Sequence, residues 1–394
     1  MRHDVLERAA TSRALLGDAR PTDDELVAIV RDALRRPNAT IVDWRVETVP
    51  YEIGTPLTEG LLRVTGIASD GEWIGPWSLF VKLVRSWRHW PMLHVMPEHI
   101  REAMVQHPGW RKEPEIYRSD LSSALPTGLA MPRVLRVHDL GDERFALWLE
   151  DVAASDTRWD LARFRQAARL LGQLAARMTA GDALPETIAR DTSEMVHDFY
   201  ESRLAAYAFP LLQSDATWSH PAVAGVVDEH LRVDLLELAD RLPAIIARLD
   251  RLPHALIHGD ACPQNLLIPA QADVNGFVVI DWGMACSAPV GYELAQLLIG
   301  LAHSGELTVE ELPAVHDAIL DAYINGLAEE GLAVNPTDVR FGFDAGLVLR
   351  SAFTALPLEQ LAGPDSDALA ALVAQRVRLT RYLVDLGLTL SDGG

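Results

Sequence analysis

The chain has 394 residues, 49% of them hydrophobic, with a formal net charge of −21 and two cysteines. That length and apolar content allow a full core and two or three domains. The acidic balance argues against a nucleic-acid partner, because phosphate backbones demand clustered Lys and Arg. Two thiols in so long a chain fit a reducing cytoplasm better than a disulfide scaffold. The greasiest stretch, near 290–302, is interrupted by Glu293 and Gln296 and is too short to span a bilayer. Residues Met1 to Arg8 lack the apolar region of a secretory signal. The expected setting is cytoplasmic, as a monomer or homodimer.

In chain order, Pro21-Thr22-Asp23-Asp24-Glu25 predicts a capped helix reaching about Arg36. Strands are expected near 40–51 and 61–68, joined by a loop containing Gly54, Thr55, Thr58 and Gly60. The loop has no G-x-G-x-x-G, and reads either as a turn over bound phosphates, with Thr55 and Thr58 as hydroxyl donors, or as an ordinary hairpin loop. The next strand, near 77–85, contains Lys82. Of the 35 Lys and Arg, only Lys82 and Lys112 are lysine. A composition that has replaced Lys by Arg nearly everywhere keeps Lys82 in an apolar strand, where a charge is costly. A compact ammonium suits a phosphate pocket that a guanidinium fork does not fit.

From Ser86 to Trp110 the chain carries His89, His94, His99, His107, Trp87, Trp90 and Trp110. The histidine spacing puts no metal-binding set on one helical face, so the segment reads as a flap over a nucleotide or another subunit. A helix near 110–123 begins at about Lys112 or Glu113, because Pro114 is tolerated only in a first turn. Strands near 133–139 and 144–150 come next, the second running into Glu150, Asp151 and Val152. From Arg158 onward helices are expected at 158–180, 190–211, 221–251, 290–303, 308–331, 336–355 and 365–388, interrupted by a hairpin at 256–281. These elements describe an α+β chain with a small antiparallel-sheet N-lobe at 1–150 and a large, mainly helical C-lobe at 151–394. The boundary falls at 150–157.

The hairpin holds the decisive motif. Ala255-Leu256-Ile257 runs into His258-Gly259-Asp260, and Asn265 comes five residues after Asp260. After a turn at 273–276, Phe277-Val278-Val279-Ile280 delivers Asp281-Trp282-Gly283. Two oxygen ligands for a hard cation and one carboxylate base are the minimum that phosphoryl transfer asks of a protein. H-x-D-x-x-x-x-N and then D-x-G is the order in which protein-kinase-type centres supply them. No G-x-x-x-x-G-K-[ST] occurs, which excludes a P-loop enzyme.

In these segments the chain resembles the aminoglycoside phosphotransferase and choline-kinase-like enzymes, small-molecule kinases with a bilobal protein-kinase-like fold. The resemblance runs from about Ile41 to the C-terminal helices and is tightest at 254–297. It implies Asp260 as base, His258 as a brace for the catalytic loop, and Asn265 and Asp281 as Mg²⁺ ligands. It also implies Lys82 on the phosphates of ATP or GTP, paired with Glu113, which fits an E-x-x-x-Y pattern ending at Tyr117 better than Glu115 does. Gly54, Thr55 and Thr58 would cover the phosphates, and the backbone of Glu150 and Val152 would read the adenine edge. Glu293 stands where Asp is usual in the family, and that acid ties down the catalytic loop.

Glu293 comes only twelve residues after Asp281, with no A-P-E between them. That is too short for a peptide-binding activation segment, so the implied acceptor is a small-molecule alcohol such as an aminoglycoside, an amino sugar or an amino alcohol. The acidic balance also fits a cationic acceptor. Antibiotic self-protection and sugar or secondary-metabolite phosphorylation are both compatible roles. The alternative of another class is a nucleotide-binding regulatory protein that kept the fold and lost turnover, suggested by the poor glycine loop and by Glu293. A protein kinase is the third reading.

Overall fold

The computed structural model describes residues 12–51, 54–181, 194–228, 230–270 and 276–390. The chain divides into two compact units. One holds residues up to Ser122, Ala130–Ser155 and a short segment beginning at Pro269. The other holds Ser123–Leu129, Asp156–Ile268 and the chain from Val274 onward.

The first unit opens with helix α1 (Asp23–Leu34), where Thr22 accepts from the Glu25 amide and Glu25 returns the bond to the Thr22 amide. This reciprocal cap satisfies two donors that a helix start leaves orphaned. Strands β1 (Thr40–Thr48), β2 (Thr58–Ser69) and β3 (Ile74–Arg85) come next. Helices α2 (Glu98–Gln106) and α3 (Lys112–Arg118) precede β4 (Val134–Gly141) and β5 (Arg144–Glu150). The antiparallel sheet has the order β1-β2-β3-β5-β4. Its central strands bury alternate side chains against α1, in a core that includes Trp44, Val64, Trp77, Leu79, Val81 and Trp148. The expected single helix at 110–123 is broken into a 3₁₀ turn at Pro108–Arg111, α3, and a short turn at Leu121–Ala124. Ser119 ends α3 by donating its hydroxyl to the Ile116 carbonyl.

The second unit is built on α4 (Leu161–Ala180), then α5 (Glu194–Phe199), a π-helical stretch at Tyr200–Ala208, and α6 (Leu231–Leu249). The helix expected at 221–251 is split, with Pro221–Ala224 a separate turn. Then come β6 (His254–Ile257), β7 (Leu266–Leu267), β8 (Phe277–Val279) and β9 (Cys286–Pro289). The C-terminal helices are α7 (Leu294–Ser304), α8 (Leu312–Glu329), α9 (Pro336–Leu347) and α10 (Asp367–Thr389). Helices α4 and α8 pack closest where Gly172 faces Gly326. A Cβ at Gly326 would lie 2.0 Å from the Arg169 carbonyl oxygen, and one at Gly172 2.3 Å from that of Tyr323. Only hydrogen at both positions permits this approach. Among the described residues no helix is long and apolar enough to cross a membrane.

Candidate active site

In the first unit, Lys82 sits on β3 opposite Leu147 of β5. Its Nζ lies 2.7 Å from Glu113 Oε2, and both side chains are below a tenth exposed. Such a buried pair needs close geometry to offset desolvation. The first turn of α3 supplies it by presenting Glu113 beside the strand, while Glu115 turns to Arg111 at 3.0 Å. The expected pairing of Lys82 with Glu113 rather than Glu115 is therefore the one observed.

The 54–60 loop is ordered by its own polar groups. Thr55 Oγ1 accepts from the Leu57 amide, and its carbonyl accepts from Thr58. Gly54 and Thr55 lie exposed in the loop, whereas Thr58 is buried as the first residue of β2. At the end of β5 the Glu150 amide donates to the Arg133 carbonyl, so that N–H is already engaged. Val152 comes after Asp151, which is held by Arg63 at 2.8 and 3.2 Å and by the Ser78 hydroxyl. The segment after Ser86 is tied to the β4–β5 turn. Ser86 donates to Glu143 at 2.6 Å, His89 Nε2 meets the Asp142 carbonyl at 2.6 Å, and Arg88 pairs with Asp142 and Glu143. Trp87 packs edge-on against Trp90, and Trp110 stacks on Phe145 at 5.5 Å.

In the second unit, β6 leads into the loop and pairs with β9, while β7 pairs with β8. The hairpin turn expected at 273–276 lies, apart from Gly276, outside the described residues. The Ile280 amide donates to the Asn265 carbonyl at 3.0 Å, which puts Asp281 beside Asn265. Asp281 itself adopts a left-handed conformation, φ +62°, uncommon for a non-glycine residue though tolerated by Asp more than most, and found often at functional sites.

The ring of His258 is fully buried, edge-on to Trp282 at 4.6 Å. Its Nδ1 accepts from the Asp260 amide at 3.3 Å, so the proton is on Nε2, which donates to the Ile280 carbonyl at 3.0 Å. His258 thus joins the loop to the strand that carries Asp281. Gly259, φ +84°, has no room for a side chain: a Cβ would lie 2.1 Å from the Met284 carbonyl oxygen.

Glu293, fully buried, accepts through Oε1 from the amides of His258 (2.8 Å) and Gly259 (3.3 Å). The extra methylene therefore does not prevent the acid from holding the loop. Burial pushes its carboxyl up to about 7, although the two amides and Arg350 act to lower it.

Asp260 is gripped at both oxygens. Gln296 Nε2, from α7, donates to Oδ1 at 2.7 Å, and Asn265 Nδ2 donates to Oδ2 at 3.0 Å and to the Asp260 carbonyl at 2.9 Å. Burial raises its carboxyl above the usual range, and the charge of Asp281 adds to this; Arg350, Gln296 and Asn265 oppose it.

Both hydrogen bonds of Asn265 use its nitrogen, which leaves the carbonyl oxygen as the atom for a cation. That oxygen and the Asp281 carboxylate are both hard oxygen donors, a type that fits a cation such as Mg²⁺ and not a soft metal. Neither Cys262 nor Cys286 is in a disulfide, and burial pushes the Cys262 thiol up to about 12, as expected for an inert thiol.

The family model of the phosphotransferase enzyme family (APH) matches residues 113–333, from Glu113 through Asp260, Asn265, Asp281 and Glu293. The chain belongs to that family. Solved structures agree on the fold of the phosphotransferase. A microcompartment-associated aminopropanol kinase is 17% identical over 93% of this chain and 100% of its own, with a TM-score of 0.53. A putative aminoglycoside phosphotransferase from Ralstonia eutropha JMP134 is 12% identical over 91% and 98%, with a TM-score of 0.51. A choline kinase from Cryptosporidium parvum Iowa II is 13% identical over 86% and 88%, with a TM-score of 0.50. At these identities the likeness shows the protein-kinase-like fold. No curated protein matches the sequence.

Sequence reasoning missed two residues of the candidate site. Gln296 read only as a polar interruption of the most apolar helix. A buried-side amide one turn from Glu293 was the available signal. Arg350 donates from Nη1 to the Gly259 carbonyl at 2.7 Å. It lies 91 positions away in sequence, and no local pattern marked it.

Proposed function

We propose that the protein transfers the γ-phosphoryl group of ATP, or of GTP, to a hydroxyl of a small molecule. The observation that carries this reading is Asp260, partly accessible yet fixed at both oxygens by Gln296 and Asn265, on a loop whose backbone is held by Glu293. A carboxylate so oriented can direct and accept the proton of an attacking hydroxyl without reorganising. Its raised proton affinity makes it a better acceptor. Mg²⁺ bound by the Asn265 oxygen and the Asp281 carboxylate would neutralise charge on the phosphates. Lys82, held by Glu113, supplies a further cation to the nucleotide phosphates, and Gly54 and Thr55 donate to them from the loop ahead of β2. The Val152 amide is the assigned contact to the adenine edge, together with the Glu150 carbonyl, since the Glu150 amide is already engaged. Nucleotide binding is assigned to the lobe formed mainly by residues 1–150, and acceptor binding to 151–394.

The path of the chain beyond Asp281 favours a small acceptor. It makes a 3₁₀ turn at Trp282–Met284, pairs at once as β9 with β6, and enters α7. That leaves no activation segment to hold a peptide. The alternative of a catalytically silent nucleotide-binding protein loses one of its two supports, because Glu293 does hold the loop.

The test is ADP release by the purified protein with MgATP and a panel of amino sugars, aminoglycosides, hydroxy acids and amino alcohols, alongside Asp260→Asn. Nucleotide binding with no phosphate transfer to any alcohol would reverse the reading in favour of the silent protein.

A further inference from the structure

We propose that Arg350 selects the acceptor, and that the acceptor carries an anionic group, a carboxylate or a phosphate, near the hydroxyl that is phosphorylated. This rests on the kinase reading and narrows its substrate class.

Arg350 lies in a π-helical segment, Val348–Ala352, that continues α9. Wide turns of this kind are rare and gather at functional sites. The stretch at Tyr200–Ala208 is a second one, and the two meet: Phe209, just past the second stretch, packs edge-on against Phe353, just past the first, at 5.2 Å. Phe199, the last residue of α5, lies 6.0 Å from the Arg350 guanidinium, and Tyr292 lies 5.9 Å from it. Two aromatic rings and the hydrogen bond to the Gly259 carbonyl therefore fix the group beside the catalytic loop.

The contacts that Arg350 lacks show the purpose of this placement. One of its five N–H donors is spent on Gly259. Among the described residues no carboxylate lies within ion-pair distance of it, in a chain where Asp and Glu outnumber Lys and Arg 56 to 35. Its remaining nitrogens are not among the buried unpaired atoms, so they are in contact with solvent. Arg350 acts on Asp260 and Glu293 through its charge without contacting either. A mere counter-charge for those two buried acids would be expected to pair with one of them directly.

A planar fork with unspent donors, held next to the base, matches a carboxylate or phosphate oxygen pair. A polycationic acceptor would bring like charge against it. The global charge of −21, which suggests a cationic substrate, is thus overridden by one local cation at the hydroxyl-binding end of the loop.

The experiment uses the full-length protein with MgATP and acceptor pairs that differ only by a carboxylate: D-glycerate against ethylene glycol, and L-homoserine against 3-amino-1-propanol. The carboxylated member is expected to be favoured about 10- to 100-fold in kcat/KM, the range of a charge-assisted hydrogen bond. Arg350→Gln should bring the ratio near one, chiefly through KM, and Arg350→Lys should keep part of the preference. Native protein that favours the neutral or aminated members overturns the proposal. So does an Arg350→Gln variant that slows both members of each pair equally, since Arg350 would then be a brace for Gly259 or a contact to the transferring phosphoryl group. Where turnover is too slow to measure, thermal shifts of the native protein with the same pairs read the preference, and equal shifts overturn it. Absence of transfer to every alcohol strikes the kinase reading instead.

Discussion

Replacing Glu293 by Gln tests whether the acid that holds the catalytic loop is neutral or charged. Its carboxyl is pushed from 4.5 up to about 7 by complete burial, against two amide hydrogen bonds that favour the anion. A raised carboxyl means that the folded state binds more protons than the unfolded state between about 4.5 and 7. The stabilising, protonated form is therefore lost as the pH rises through that window, and stability falls. Between pH 5 and pH 8 the loss from this one group is on the order of 2–3 kcal/mol. Glu293→Gln keeps a carbonyl for the His258 and Gly259 amides but does not titrate. It leaves an amide nitrogen where Glu293 Oε2 is already buried without a partner, a cost of about 1–3 kcal/mol that is the same at every pH. The difference between the two proteins should thus move by about 2–3 kcal/mol in favour of the variant from pH 5 to pH 8, whatever its constant offset. Urea unfolding at both pH values, with unchanged m, measures this directly. Parallel profiles would show that Glu293 stays ionised throughout and that the amide bonds outweigh burial.

Asp260→Asn should lower kcat by about 10²–10⁴-fold; it removes a desolvated charge but turns an NH2 toward one of the two donors, Gln296 or Asn265, that hold the carboxylate, a cost of about 1–3 kcal/mol in urea unfolding, and near-native turnover of the folded variant would remove Asp260 from the chemistry. Lys82→Met should destabilise the first unit by about 3–5 kcal/mol, because the buried Glu113 carboxylate loses its ion-pair partner. The double variant with Glu113→Leu should recover most of that in urea unfolding while nucleotide binding stays lost; recovered binding would contradict the role given to Lys82. Gly259→Ala should cost at least about 1–3 kcal/mol in thermal or urea unfolding, for a Cβ forced against Met284 at positive φ, and should abolish turnover. An active, equally stable alanine variant would mean that the loop is free to move.

The catalytic hairpin was legible in sequence because its information is local. Asp260 and Asn265 are five residues apart, Asp281 ends an apolar strand, and each lies on the connection its neighbours predict. Lys82 was legible through composition, since a lone lysine in an apolar strand is conspicuous in a chain of arginines. Element boundaries were less so: the segment 110–123 breaks at Ser119, whose hydroxyl offers the backbone an alternative to continued helix. The segment 86–110, read as a flap, consists of 3₁₀ turns and the helix α2, its start pinned to the β4–β5 connection by charge pairs.

By itself, then, the sequence determined the family, the order of the elements, and the candidates proposed as base and cation ligands, because these depend on residue type and short spacing. Only tertiary structure decided that Glu293 still reaches the loop amides, that Gln296 grips the base, and that Arg350 comes to Gly259 from the far end of the chain. Such contacts are set by how helices pack in three dimensions, and packing joins residues whose separation along the chain carries no periodic trace.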